Sequence, residues 1–356
     1  MSTAMKGRGA RSNLSGRFEA DWREDFDDGW QDGDQGLAPL RTSLSVERAR
    51  TIITKNTSPD VGFDRSINPY RGCEHGCTYC YARPAHAYMG LSPGLDFESR
   101  LFFKPDGARL LEQELSKPRY RPQPIHIGGN TDAYQPVERQ TQLTRQILEV
   151  LQSFNHPLSI ITKSALIARD ADILGAMGRE GLAVATLSVT TLDRQLARAM
   201  EPRAATPAKR LEAISRLTEA GCPVTVNFAP VIPGLNDHEL EAVLEAAQKA
   251  GAVSASYVSL RLPLEIKDLF REWLEDARPQ RAARVMSLIR QSRGGKDYDP
   301  EWSQRMKGTG PLADLIAARF KAAKTRYGLD GPRPPLDTSQ FKVPARSGEQ
   351  MDMFAQ

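Results

Sequence analysis

The stretch NPYRGCEHGCTYCYARPAH, residues 68–86, carries three of the four cysteines in a chain of 356 residues. They fall at Cys73, Cys77 and Cys80, a C-x3-C-x2-C spacing. Thiolates bind metals, and three on one short loop can converge on a single centre. Zinc sites commonly take two separated ligand pairs, but Cys222 stands alone in EAGCPVTV and makes no second pair. His75 and His86 flank the loop, so a Cys3His zinc site is the alternative reading. A [4Fe–4S] cube fits better: it normally takes four cysteines, and three leave one iron open to a substrate or cofactor. Gly72 and Gly76 let the backbone fold closely around so bulky a group.

Outward from this loop, short apolar runs alternate with longer amphipathic ones. PIHIG (124–128), LSIIT (158–162), LAVATLSV (182–189), VTVNFAPV (224–231) and ASYVSL (255–260) read as buried strands. The segments between them carry helical spacing, and two end at Gly221 and Gly251, where a C-cap is expected. Strand alternating with helix implies βαβ units and a parallel sheet. With a first strand just before Cys73 there are six such units. The expected fold is α/β: a partial (β/α)6 TIM-type barrel with a helical C-terminal extension and an irregular N-terminal segment. The boundaries read as an irregular segment over 1–58, the core barrel over 59–262, the helical extension over 263–330 and a flexible Pro-rich tail over 331–356.

Composition narrows the class without naming a function. The hydrophobic set makes up 40% and charged residues 26%, as in an ordinary globular chain. No apolar run approaches a bilayer span, the N-terminus lacks a secretory h-region, and few cysteines suit a reducing compartment. A cytoplasmic protein without a membrane segment is expected. Net charge is only +4, but residues 271–346 hold sixteen Lys/Arg against nine Asp/Glu. That basic region is read either as a polyanion-binding surface or as solvated helix faces.

The C-x3-C-x2-C loop, with Tyr79 before its last cysteine, resembles the signature of the radical S-adenosylmethionine (radical SAM) superfamily. SINPYRGCEHGCTYCYAR, GGNTDAYQPVE, ITKS, EPRAATPAKRLEAISRLTEAGCPV and PVIPGLND occur in an order most similar to its spore photoproduct lyase-like branch. The resemblance covers about residues 60–262. It implies that Cys73, Cys77 and Cys80 hold a [4Fe–4S] cluster whose fourth iron is chelated by S-adenosyl-L-methionine. It further implies reductive cleavage of that cofactor to a 5′-deoxyadenosyl radical acting on a substrate, with a nucleic acid lesion or modified nucleotide the leading expectation.

By the same resemblance Gly128 and Gly129 approach the cofactor's amino group through the backbone, beside the polar atoms of Asn130, Thr131 and Asp132. Tyr79 joins this cofactor set. Lys163 would pair with the cofactor carboxylate, and Ser188 and Thr190 would bond its methionyl or ribose part. Each has a plainer reading: a turn with a helix cap, a solvated lysine, and turn-capping hydroxyls. Asn236 or Asp237 would cap a helix, and Arg203 and Arg210 would meet an anionic substrate or simply be surface charge. Cys222, at the N-terminal end of its strand, reads as a small buried hydrophobe and not as the hydrogen-donating cysteine of the photoproduct lyases.

Two other function classes share these features. An iron–sulfur electron-transfer protein would ordinarily supply a fourth cysteine, and a non-catalytic nucleic-acid-binding module would rest only on the basic region. The expected partners are a reductant protein such as flavodoxin or ferredoxin, nucleic acid, and the DNA sliding clamp. The clamp enters because Gln350–Phe354 (QMDMF) resembles the Q-L-[SD]-L-F clamp-binding peptide.

Overall fold

The computed structural model describes residues 7–19, 40–331 and 335–345. The clamp-like peptide Gln350–Phe354 lies outside the described residues. Ten strands are present among them: β1 (Ser43–Val46), β2 (Ile53–Lys55), β3 (Arg65–Ile67), β4 (Tyr70–Arg71), β5 (Arg100–Phe103), β6 (Ile125–Ile127), β7 (Leu158–Thr162), β8 (Ala183–Ser188), β9 (Val224–Val231) and β10 (Ser254–Ser259). The main sheet has the order β10-β9-β8-β7-β6-β3-β2. Its β3, β6, β7, β8, β9 and β10 run parallel, and β2 lies antiparallel on the edge of β3. Six parallel strands with helical crossovers make the expected open, partial barrel.

One strand falls elsewhere than expected. The residues immediately before Cys73 form β4, which pairs with β5 in a separate sheet of order β1-β5-β4. The first barrel strand, β3, ends at Ile67. Asn68–Pro69 accounts for the break, because proline cannot donate to a sheet ladder.

Period-two alternation divides the barrel strands between two environments. Leu158 and Ile160, Ala185 and Leu187, and Val226 and Phe228 join the core beneath the helical layer. Helix Leu143–Ser153 buries Ile147, Leu148 and Leu151 completely against it. Burying each such side chain contributes about 1.5–3 kcal/mol. The alternate positions face the barrel lumen; toward the C-terminal ends of β8 and β9 they are short and polar, whereas His126, Ile161 and Val184 make other parts of that face bulkier or apolar. Register aligns Thr186 with Thr225, Ser188 with Asn227, and Asn227 with Ser256. The helices Pro207–Glu219 and Leu240–Lys249 give way to Gly221 and Gly251 at φ 94° and 100°, the left-handed geometry expected of C-caps.

The C-terminal helices Ile266–Ala277 and Pro279–Gln291 build a second core around fully buried Trp273 and Phe270. That core also contains Met200, Ile232, Cys77 and Tyr79, so the extension braces the cysteine loop. Residues 335–345, read as part of a flexible tail, instead lie against the barrel. Phe341 packs on Tyr120 and Phe154, and Lys342 N donates to Phe154 O at 3.0 Å. Three apolar rings in contact outweigh the polar, proline-rich composition around them.

Candidate iron–sulfur and cofactor site

Cys73, Cys77 and Cys80 lie on the loop that leaves β4, beside the C-terminal ends of the barrel strands. Cys73 and Cys77 are buried, and Cys80 is partly exposed. Cys80 packs both against the group holding Cys73, Ala82 and Phe97 and against the group holding Cys77 and Tyr79, so the three thiols share one region. Burial pushes all three thiols above their ordinary pKa, and for Cys73 the neighbouring Asp132 and the other thiols add to it. A bound metal would reverse that balance by taking them as thiolates.

Among the described residues, no three His, Cys, Asp or Glu side chains close on one point as they would around a single ion. A cube has corners that stand apart, and it accepts thiolates from separate directions along a loop. The zinc alternative also lacks its imidazole. His75 Nδ1 lies 3.2 Å from Asp132 Oδ2, and His86 Nε2 lies 3.0 Å from Arg100 O with its ring edge-on to Phe97. The donor set therefore fits a [4Fe–4S] cluster with one corner free of protein.

The loop is held from several sides. Gln135, fully buried, donates to Gly72 O at 3.1 Å and accepts from Glu74 N at 2.8 Å. Thr78 N donates to Met200 O at 3.0 Å. Tyr79 OH bonds the buried Glu201 carboxylate, which also accepts from Thr190 Oγ1 at 2.6 Å and pairs with Arg210. Arg210 in turn donates to Ser188 O at 3.0 Å and Ala205 O at 2.8 Å. Burial alone would raise the pKa of Glu201, but Arg210, Lys163 and hydrogen bonds outweigh it and hold the carboxyl below its ordinary value.

The GGNTD turn follows β6. Gly128 has φ 84°, and a Cβ there would stand 2.6 Å from Ile161 O, so only glycine fits. Asn68 Oδ1 accepts from Asn130 N at 3.0 Å and fixes the turn. Thr131 and Asp132, expected to supply polar atoms beside the cofactor, are bonded within the protein. Thr131 Oγ1 donates to Tyr70 O at 2.7 Å. Asp132 accepts from Thr162 Oγ1 at 2.6 Å, Lys163 N at 2.8 Å and Tyr134 N at 2.9 Å, besides facing His75. Burial would raise its pKa, yet His75 and these donors hold it well below the usual carboxylate range. Both side chains organise the turn. Thr190 is likewise engaged, with Glu201 and with Ala229 O at 3.2 Å.

Lys163, just after β7, sets its ammonium 5.9 Å from the Tyr79 ring centroid. Burial works against its charge, but Cys77, Glu201 and Asp132 outweigh it and the pKa is raised. Lys163 forms no ion pair among the described residues. It is a cation facing the cysteine loop. Ser188 is buried at the end of β8, in the lumen row with Asn227. The structure thus gathers Tyr79, Lys163 and Thr190 at the loop and sets the Gly128–Asp132 turn against it, with Asp132 facing His75 and Gly129 O accepting from Tyr81 OH.

Other readings resolve in the same geometry. Arg210 is neither surface charge nor available to a substrate, because Glu201 and two backbone carbonyls take it. Arg203 is part-exposed and pairs with Glu74 at 3.1 Å. Asn236 caps no helix with its side chain; it accepts from Ile232 N at 2.7 Å and donates to Thr190 O at 2.8 Å. Cys222 is buried in the core below β9, at the opposite end of that strand from the loop. The sequence reading missed Glu201, although Arg210 carried a signal. It falls on the buried stripe with Ala213, Ile214 and Leu217 of helix Pro207–Glu219, a position that asks for a partner.

The model of the radical SAM superfamily matches residues 67–247, just over half of the chain. Uncharacterized protein Rv2578c of Mycobacterium tuberculosis is 32% identical over 290 residues, covering 80% of this chain and 81% of that protein. Uncharacterized protein MJ0683 of Methanocaldococcus jannaschii is 30% identical over 200 residues, 56% of this chain and 73% of that one. Among solved structures, a spore photoproduct lyase variant superposes with a TM-score of 0.52 at 15% identity, covering 80% of each chain, which is a likeness of fold. Together with the three-cysteine loop at the barrel mouth, these matches place the chain in the radical SAM superfamily, whose members use a [4Fe–4S] cluster and S-adenosyl-L-methionine.

Proposed function

We propose that this chain is a radical SAM enzyme that reductively cleaves S-adenosyl-L-methionine and acts on a nucleic acid lesion or modified nucleotide. The observation that carries the reading is the single buried loop on which Cys73, Cys77 and Cys80 share one region while no fourth cysteine joins them. A reduced cluster bound there supplies the electron that splits the sulfonium. The chain's own residues bind and orient. Gly128 and Gly129 present backbone to the cofactor's amino group, Lys163 meets its carboxylate, and Ser188 faces its remaining polar atoms. Tyr79, locked by Glu201, holds the loop that carries the thiolates.

The substrate class is supported by the lumen. Thr186 and Thr225 offer hydroxyls and Asn227 its amide NH2, its Oδ1 already accepting from Ser256 Oγ at 3.0 Å; such groups suit the hydrogen-bonding edges of a nucleobase better than a hydrocarbon. The reductant is an external one-electron carrier of the flavodoxin or ferredoxin kind. The clamp-like peptide Gln350–Phe354 would tether the enzyme to DNA, and binding of a synthetic 345–356 peptide to a sliding clamp tests that part alone.

The test of the main reading is anaerobic reconstitution followed by incubation with dithionite and S-adenosyl-L-methionine. Wild type should carry about four irons, the number in one [4Fe–4S] cube, and form 5′-deoxyadenosine. Cys73→Ala, Cys77→Ala and Cys80→Ala should each lose both, and Cys222→Ala neither. A wild-type protein that holds the cluster but forms no 5′-deoxyadenosine would point instead to electron transfer.

A further inference from the structure

The irregular segment Gly7–Asn13 is not a loose leader. Gly9 N and Ala10 N donate to Glu98 Oε2 and Oε1 at 2.9 and 2.8 Å. Glu98 is fully buried, and its carboxylate also pairs with Arg83, itself fully buried. Arg83 reaches the cysteine loop directly, donating through Nε to Cys77 O at 3.0 Å. Arg8 is nearly as buried and donates to Glu98 O and Leu40 O, each at 2.6 Å, and to Thr42 Oγ1 at 3.0 Å.

The fit between strap and loop is backbone on backbone. A Cβ at Gly9 would stand 1.7 Å from Gly76 O and 3.3 Å from Thr78 Cγ2, so no side chain is tolerated there. A Cβ at Gly76 would meet Glu98 Oε2 at 2.7 Å, so the same carboxylate presses on the loop at the residue immediately before Cys77. Further along, Leu95 N donates to Ser12 O at 3.3 Å, Asn13 and Asp96 exchange bonds of 3.1 and 2.9 Å, and Ser12 Oγ donates to Glu272 Oε2 at 2.8 Å.

We infer that residues Arg8–Asn13 are the outer wall of the cluster cage: a strap that, through Glu98 and Arg83, sets the conformation of the cysteine loop and shields Cys73 and Cys77 from solvent. The inference rests on the assignment of the cluster to Cys73, Cys77 and Cys80. Its residues act through the loop and are positioning residues. A strap made of two backbone N–H groups on one buried carboxylate has little to replace it, since lifting it leaves Glu98 with Arg83 alone and strips two donors from a carboxylate that water does not reach.

The experiment uses the full chain with Gly9→Val, which lifts the strap off Gly76, and Arg8→Met, which removes three hydrogen bonds without adding backbone bulk. Gly62→Ala, where a Cβ meets nothing, is the control. In the unloaded protein, iodoacetamide labelling is followed cysteine by cysteine. Cys73 and Cys77 should react on the order of tenfold faster in Gly9→Val and several-fold faster in Arg8→Met. Cys80, already part-exposed, should change least, and buried Cys222 should stay protected, which global unfolding would not reproduce. After reconstitution, both variants should lose iron to a chelator faster than wild type, and the reduced cluster should give a shifted EPR signal. Wild-type labelling of Cys73 and Cys77 in both variants would overturn the inference, as would labelling of Cys222 in step with them. Because labelling is read without the cluster, a wrong cluster assignment would show separately, as cysteine variants that keep their iron.

Discussion

Replacing Arg210 by Met leaves Glu201 as a charge sealed inside the protein. The Glu201 side chain has no exposed surface and that of Arg210 only 2%. Removing one partner of such a pair costs about 3–5 kcal/mol, because the survivor keeps its desolvation penalty and loses its counter-charge. Ser188 O and Ala205 O also lose donors, although these losses overlap with the first and do not simply add. Against a total stability of about 5–15 kcal/mol, the change is large. Urea unfolding of the unloaded protein, read by circular dichroism, measures it. The double variant Glu201→Leu/Arg210→Met removes both charges of the pair and should be less destabilised than Arg210→Met alone, even though Tyr79 OH and Thr190 Oγ1 lose an acceptor and Lys163 a neighbouring carboxylate. The pH dependence has a definite sign. The folded pKa of Glu201 lies below its unfolded value, so the stabilisation is present above the unfolded carboxylate range and is lost as pH falls through the folded value. The gap between wild type and Arg210→Met should therefore narrow in acid. An Arg210→Met variant within about 1 kcal/mol of wild type at neutral pH, or a double variant worse than the single one, refutes the reasoning.

Gly128→Ala places a Cβ against Ile161 O at a left-handed φ, a strain of about 1–3 kcal/mol; it should keep its iron yet form 5′-deoxyadenosine at least about tenfold more slowly, a barrier increase of about 1.4 kcal/mol, and wild-type turnover would make the turn a mere connector. Gly129→Val meets His126 and Phe63 side chains at 3.0 and 3.2 Å, so it should disturb their ring stack and cofactor binding while sparing the cluster, as iron content and cofactor titration would show. His156 is fully buried, and burial lowers its pKa from 6.5 to about 4. The unfolded chain takes up that proton first, so stability should fall from about pH 6.5 to about pH 4 by about 3 kcal/mol. His156→Phe should flatten the profile across that window, and an unchanged slope would assign the acid sensitivity to other groups.

What the sequence made legible follows from how each feature is encoded. The barrel strands announce themselves because one face of each packs under helices, so Leu158, Ile160, Val226 and Phe228 repeat at the spacing of a pleat. The cluster loop is legible because metal chemistry demands three thiols within the reach of one turn. Glu201 and Arg210 were half-legible: the arginine interrupts an apolar stripe, but nothing local names its partner. The pairing of His75 with Asp132 was not legible, because their types suit ligands and contacts alike and only the fold shows that they face each other. The strap was illegible. Gly9 and Glu98 stand 89 residues apart, and the bonds between them use backbone N–H groups, which every residue but proline carries. Gly-Arg-Gly composition argues for looseness on entropic grounds. That argument fails at Gly9 because the absence of a side chain is what lets the chain lie flush against Gly76. A glycine that is tight for lack of space and one that is loose for lack of contacts look the same in a sequence. The strap's order is therefore a property of the pair it forms with the cysteine loop, and a variant of either side should be felt on the other.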